Sequence, residues 1–498
     1  MTKPRRLGAL LAVVLGGASV ASAQPAPESP NDRSGGHYQT DFPPEEFRAR
    51  WSAVCDRIGP NAVAVAQGAP LTNGFQYPRQ SNTLYYLSGI ETPGAYLLLD
   101  GRTRRVTLYL PLRNERLERS EGKVLSAADA DLVRRLVGVD EVRAVTEMGT
   151  SWPAGDARVE AYAETAPAEG YAQSRYELRA ADAAIAADPW DGRLPRETLF
   201  RELLRLRNPH ATIQDLTPVL DELRSVKSPR EIALVRRASQ LAGLGVLEAM
   251  RSTQPGAWEY QLDAAARFVF LQNGARLDGY RSITASGTEN IWNSHYYRND
   301  SPLRDGDLVL MDYAPDYHYY VSDIGRMWPV NGTYAPWQRE LLQFVLEWRN
   351  AVLARIRPGV TTDAILADAR TAMGPVLART CFSKPEYEKG ARKMLETSGG
   401  IFSHTIGMTV HDVGDYRQGP LKPGQVFALD PQLWVSEERL YIRYEDTVVV
   451  TESGVENFTA FLPSEPDAIE AVVRGKGVLQ SLPALTEEAF EALRARRR

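Results

Sequence analysis

The feature that most constrains this chain is an internal repeat. Pro302-Leu303-Arg304-Asp305-Gly306-Asp307-Leu308-Val309-Leu310-Met311-Asp312 aligns without a gap with Pro420-Leu421-Lys422-Pro423-Gly424-Gln425-Val426-Phe427-Ala428-Leu429-Asp430. Each copy has a basic residue, a glycine turn, four apolar residues and then an aspartate. A second extended run follows each copy, residues 319–324 with Asp323 and residues 440–450 with Glu445. The pattern predicts two similar hairpins, each with a carboxylate on both strands. Strand side chains alternate faces, so Leu308, Leu310 and Asp312 share one face, as do Val426, Ala428 and Asp430. Aspartate is depleted in strands, and a carboxylate in an apolar run costs free energy unless it is paired. One such acid alone reads as an exposed strand end. Four in a repeated frame call for cations.

Hard oxygen ligands suit divalent metals. Four carboxylates balance two divalent ions, and two ions about 3.5–4 Å apart form a hydrolytic site. Such a site also takes a nitrogen ligand. The six histidines are His37, His210, His295, His318, His404 and His411. Residues 403–412 hold two of them, and spacing alone does not say which one binds metal. A lone histidine is also read as a hydrogen-bonded structural residue. His318 falls in the tyrosine-rich loop of the first hairpin and reads as surface; His37 reads as leader.

A length of 498 residues points to two or three domains, since one core rarely serves more than about 250–300 residues. A hydrophobic share of 43% and a charged share of 24% exclude disorder as the dominant state. The net charge of −5 carries no basic surplus, so no nucleic acid is expected as a partner. Cys55 and Cys381 lie far apart in sequence and read as separate thiols.

Lys3, Arg5 and Arg6, the small and apolar residues 7–20 and Ala21-Ser22-Ala23 make residues 1–23 read as a secretory signal peptide. The run is too short for a membrane span, so no membrane anchor is expected. The protein is therefore expected to be exported, either periplasmic or secreted. Residues 24–37 read as a flexible leader, 38–210 as an α/β domain, 211–465 as an α+β domain and 466–498 as a helical tail. Ser228-Pro229-Arg230-Glu231 has the capping-box form of a long helix start.

Asp312 in Met-Asp-Tyr, Asp323 in Ser-Asp-Ile-Gly-Arg, His404, Asp430 in Leu-Asp-Pro and Glu445 in Arg-Tyr-Glu-Asp-Thr form an ordered set. With Val410-His411-Asp412-Val413-Gly414 and Pro329-Val330-Asn331-Gly332, they make residues 214–465 resemble the pita-bread metallopeptidases. That family includes methionine aminopeptidase, aminopeptidase P and prolidase. Tyr77-Pro78-Arg79-Gln80, residues 84–89 and Glu91-Thr92-Pro93-Gly94-Ala95 resemble the aminopeptidase P N-terminal domain. The resemblance implies a pita-bread fold of α+β type behind a separate α/β domain. It also implies two divalent metal ions, manganese first and zinc or cobalt as alternatives, on Asp312, Asp323, His404, Asp430 and Glu445.

By that resemblance the reaction is release of the N-terminal residue from a peptide with proline in second position. Asp430 would relay a proton, and His295 and His411 would contact substrate. Arg443 shares strand parity with Glu445 and would orient it, or form a simple cross-strand salt bridge. The chain is expected to form a homo-oligomer. Two departures stand out. Asp430 replaces the family's glutamate, and Gln432 follows Pro431 where the family has glycine. The alternatives are a prolidase-type dipeptidase, a metal-containing binding protein without turnover, and a metal-free relative like creatinase. Carboxylates at four positions argue against the last.

Overall fold

The computed structural model describes residues 37–71, 79–151 and 160–482. The segments expected to be signal peptide and leader, through residue 36, as well as Tyr77-Pro78 and the residues beyond 482, lie outside the described residues. Among those described, no helix is long and apolar enough to cross a membrane.

The first body is a six-stranded mixed sheet. Its strands are β1 (Ala62–Gln67), β2 (Tyr96–Asp100), β3 (Val106–Leu110), β4 (Glu141–Ala144), β5 (Glu160–Ala163) and β6 (Thr212–Asp215), in the order β4-β3-β2-β1-β5-β6. β1, β2 and β3 pair antiparallel, while β4, β5 and β6 join in parallel. β6 pairs with β5, so this body continues through Asp215, past the boundary expected at residue 210. Asn208-Pro209 marks the end of a helix, Arg196–Arg207, and not the end of the domain. The helix Pro44–Ile58 turns Phe47, Trp51, Val54 and Ile58 onto the sheet, spacings that keep one face apolar.

The helix Pro229–Ser252 links the two bodies. Its start forms as the sequence predicts: Ser228 Oγ accepts from the Glu231 amide and Glu231 Oε2 accepts from the Ser228 amide. Beyond it come β7 (Leu277–Asp278), β8 (Ile283–Ser286), β9 (Leu308–Asp312), β10 (Pro315–Asp316), β11 (Gly325–Pro329), β12 (Phe402–Thr405), β13 (Val426–Leu429), β14 (Gln432–Val435), β15 (Leu440–Arg443), β16 (Asp446–Val450) and β17 (Val455–Asn457). They form sheets in the orders β11-β9-β8 and β12-β13-β16-β17, with β10-β7 and β14-β15 as two-stranded pairs. Helices Pro229–Ser252, Glu259–Gln272, Pro336–Leu353, Thr362–Arg379 and Pro385–Thr397 accompany these sheets, and most of their buried residues join one large apolar core.

The repeat appears as two hairpins, but their second strands differ from expectation. β9 pairs with β11, with Asp312 opposite Gly325, so residues 319–324 are a connection. Asp323 is the next-to-last residue of that connection. The aromatic run there reflects burial against the first body: Tyr319 stacks on Tyr85 at 3.5 Å between ring centroids, and its hydroxyl accepts from the Gln80 amide. Residues 440–450 break into β15 and β16, and Glu445 stands at the break. β13 pairs with β16, with Leu429 opposite Asp446. Extending that register one step sets Asp430 opposite Glu445. Gly325 and Glu445 are thus equivalent positions of the two halves. They exchange both backbone hydrogen bonds, at 3.0 and 3.3 Å, so the halves meet at this pair.

Candidate active site

The meeting point of the hairpins gathers the acids. Asp312 ends β9, Asp430 follows β13, Asp323 lies two residues before β11 and Glu445 precedes β16. All four are buried. Arg443, at the end of β15, points its guanidinium into their midst. Nη1 lies 2.6 Å from Asp312 Oδ2, Nε 2.8 Å from Asp430 Oδ1 and Nη2 2.6 Å from Glu445 Oε2. The first two are hydrogen bonds. The third is close but misaligned, so both Glu445 oxygens are buried without a hydrogen-bond partner. Arg443 is therefore far more than a cross-strand partner of Glu445.

Tyr280 lies against the same acids. Its hydroxyl is 2.6 Å from Asp312 Oδ1 and 2.8 Å from Asp323 Oδ1. Burial, and then the Asp323 charge, push the Asp312 carboxyl up to about 8. Burial alone would raise Asp323 as well, but His404 and Arg443 outweigh it and hold that carboxyl low. Glu445 is raised by burial, against the pull of Arg443. Gln432 Nε2 donates to Asp430 Oδ2 at 2.5 Å. The two departures of the sequence, Asp430 and Gln432, are thus in direct contact.

Asp323, His404 and Glu445 each offer a ligand atom within 4.8 Å of the others. His404 Nε2 is 3.3 Å from Asp323 Oδ2. A divalent cation fits here, because buried carboxylate oxygens without hydrogen bonds are costly and Glu445 has two, with Arg443 close to Oε2. Among the described residues, Asp312 and Asp430 do not belong to such a group; hydrogen bonds from Tyr280, Arg443 and Gln432 engage all four of their oxygens.

A cavity of about 500 Å³ opens above the cluster, lined by Tyr280, His295, Asp312, Asp323, His404, His411, Asp430, Gln432 and Arg443. Seven of the eight residues singled out in the sequence therefore share one cavity, and the eighth, Glu445, lies beneath it. The His404 and His411 rings meet edge to face at 4.2 Å. Burial, then Arg443 and His411, lower the His295 imidazole, which keeps it neutral near pH 7. His318, exposed as expected, pairs instead with Asp41 at 2.9 Å.

Sequence reasoning missed three contributors. Tyr280 has no motif of its own. Glu177 and Ser174 come from the first body: Glu177 Oε1 is 2.7 Å from His411 Nδ1, and Ser174 Oγ accepts from the His411 amide. Ala172, Ser174 and Glu177 form one wall of the cavity.

Comparison with known proteins agrees with this arrangement. Residues 233–452 match the family description "Metallopeptidase family M24", and residues 47–155 match "Aminopeptidase P, N-terminal domain". The Xaa-Pro aminopeptidase of Escherichia coli strain K12 is 31% identical over 451 residues, covering 86% of this chain and 97% of that protein. The structure of Escherichia coli aminopeptidase P with the inhibitor Pro-Leu superposes with a TM-score of 0.68 at 28% identity, covering 87% of this chain and 99% of that one. A zinc-substituted form of the same enzyme in complex with product gives the same score, identity and coverage. With both domains matched in this order and hairpin acids gathered beneath the cavity, the chain belongs to the aminopeptidase P branch of metallopeptidase family M24.

Proposed function

We propose that this metallo-aminopeptidase releases the N-terminal residue from peptides whose second residue is proline. The observation that carries this reading is the wall that the first body places across the cavity. Ser174 and Glu177 reach His411 there, so the first body lines one side of the cavity and narrows the room for substrate on that side. The similarity to Xaa-Pro aminopeptidases over both domains supports the choice of substrate. An Xaa-Pro bond is a tertiary amide with no N–H, so the site needs no acceptor for one.

Asp323, His404 and Glu445 would hold the metal, and two carboxylates with an imidazole suit manganese, zinc or cobalt, of which we favour manganese. A divalent cation supplies Lewis acidity, which polarises a carbonyl and acidifies water. The side chains do the remainder. Neutral His295 at the cavity mouth can take up and return a proton at a ring nitrogen. His411, oriented by Glu177 and the Ser174 hydroxyl, faces the substrate beside His404. Arg443 holds Asp312 and Asp430 in place. The sequence start supports export to the periplasm or beyond.

Metal-reconstituted enzyme on matched Xaa-Pro-Xaa and Xaa-Ala-Xaa peptides tests the proposal. Cleavage of the proline peptide alone is the expected result. Equal cleavage of both would refute the specificity, and preference for dipeptides would assign the protein to the prolidase type.

A further inference from the structure

The frame of the two hairpins has a feature that the matched acids conceal. Asp312 stands opposite Gly325 and Asp430 opposite Glu445, so counting back two residues makes Asp323 the counterpart of Arg443. One half of the repeat places a carboxylate at that position and the other half places a guanidinium. Two hairpins with acids at equivalent places would make a symmetric nest for two cations. This pair of hairpins makes an asymmetric one, with one of its cations already covalently part of the chain.

We infer that this protein holds one divalent cation per site, on Asp323, His404 and Glu445, and that the Arg443 guanidinium stands in for a second. The inference rests on the metallopeptidase reading above. Three observations carry it. Arg443 uses Nε, Nη1 and Nη2 on three different carboxylates, at 2.6–2.8 Å, and a guanidinium does not lose its charge in a protein. Both Asp430 oxygens are already engaged: Arg443 donates to one and Gln432 to the other. The Gln432 amide also lies over Gly400, where an added Cβ would be 3.4–3.6 Å from it. Finally, the only group of His, Cys, Asp or Glu side chains among the described residues that could hold an ion is the three-residue one.

Charge decides between one ion and two. With all four carboxylates ionised, the state that bound cations favour, one guanidinium and one divalent cation leave a single negative charge, which a bound peptide's amino group can offset. A second divalent cation would make the buried cluster net positive within a few ångströms of a fixed cation. In a low-dielectric site that repulsion is many times larger than in water.

The test is metal stoichiometry, read independently of turnover. The full chain is stripped with chelator, reloaded with excess Mn²⁺, freed of unbound ion by gel filtration and assayed by atomic emission, with the Mn²⁺ electron paramagnetic resonance spectrum recorded in parallel. One ion per chain and an isolated, uncoupled spectrum are expected. Two ions per chain, or an exchange-coupled spectrum, would overturn the inference while leaving the aminopeptidase reading intact. No ion at all would overturn both. Asp430→Asn is expected to keep one ion with affinity within about threefold of the parent, and His404→Ala to retain none. Loss of the ion in Asp430→Asn with unchanged circular dichroism would show Asp430 to be a ligand and sink the idea. Full retention of the ion in His404→Ala would sink it too.

Discussion

Tyr280 touches two carboxylates with one hydroxyl, and its value lies in fixing their separation. Asp312 and Asp323 are both buried, and the phenol lies 2.6 and 2.8 Å from them. Tyr280→Phe keeps the ring and removes that link, freeing Asp323 to rotate away from His404. Partners behind a metal ligand typically change affinity about 10–100-fold when removed. Tyr280→Phe is therefore expected to weaken Mn²⁺ binding at least tenfold with little change in melting temperature; unchanged affinity in a metal titration would show the link to be idle. Nothing in the sequence flags Tyr280, because it lies outside the repeat and belongs to none of the motifs. Arg443 was legible only in part. Strand parity aligns it with Glu445, but parity sees one strand, and two of its three partners come from other segments, Asp312 and Asp430. The acids and histidines were legible because a repeated frame or a compact segment carried them.

At the scale of elements, the repeat revealed two hairpins but misassigned their second strands. Residues 319–324 carry tyrosines and a valine and so look extended; those residues are apolar because they face another domain. The true partner strand, Gly325–Pro329, begins with a glycine, a weak strand signal. That glycine has a steric reason. A Cβ built on Gly325 would lie 3.2 Å from Glu445 Cβ and 3.3 Å from Glu445 Oε2. The halves can exchange two backbone bonds here only because one of the pair has no side chain. Gly325→Ala is expected to displace Glu445 by a few tenths of an ångström and to lower metal affinity about tenfold, with a stability loss of about 1 kcal/mol, the usual size of a single-residue effect. Metal titration beside urea unfolding checks this. A stability loss with unchanged affinity would mean that the hairpins, and not the Glu445 carboxylate, absorb the strain.

The two bodies behave as one molecule because polar and apolar contacts cross between them. A single apolar cluster runs from Phe47 and Leu97 of the first body to Tyr320, Met408 and Val426 of the second. Buried Arg224 binds Glu169 at 2.7 Å and Asp412 at 2.6 Å, and Lys227 lies 3.1 Å from the same aspartate. This network holds the loop with His411 against the first body, so Glu177 reaches the cavity. None of it was legible in the sequence, since charges paired across domains leave no periodicity. Its neighbour Glu164 is the weak member. Burial pushes its carboxyl up to about 7, because Arg175, 3.9 Å away, is drawn closer to Asp221, leaving Thr83 as the direct donor at 2.8 Å. An unfolded glutamate titrates near 4.3. Between those values the folded state holds a proton that the unfolded state has released, so stability falls as pH rises through this window. Below it the group costs nothing as a charge; above pH 7 the full penalty, on the order of 3 kcal/mol, applies. Glu164→Gln keeps the shape and still accepts from Thr83, but it cannot ionise. It is expected to match the parent at pH 4 and to be more stable by up to about 3 kcal/mol at pH 8, read as a higher urea midpoint. A gain of the same size at both pH values would show that packing, and not the buried charge, limits this site.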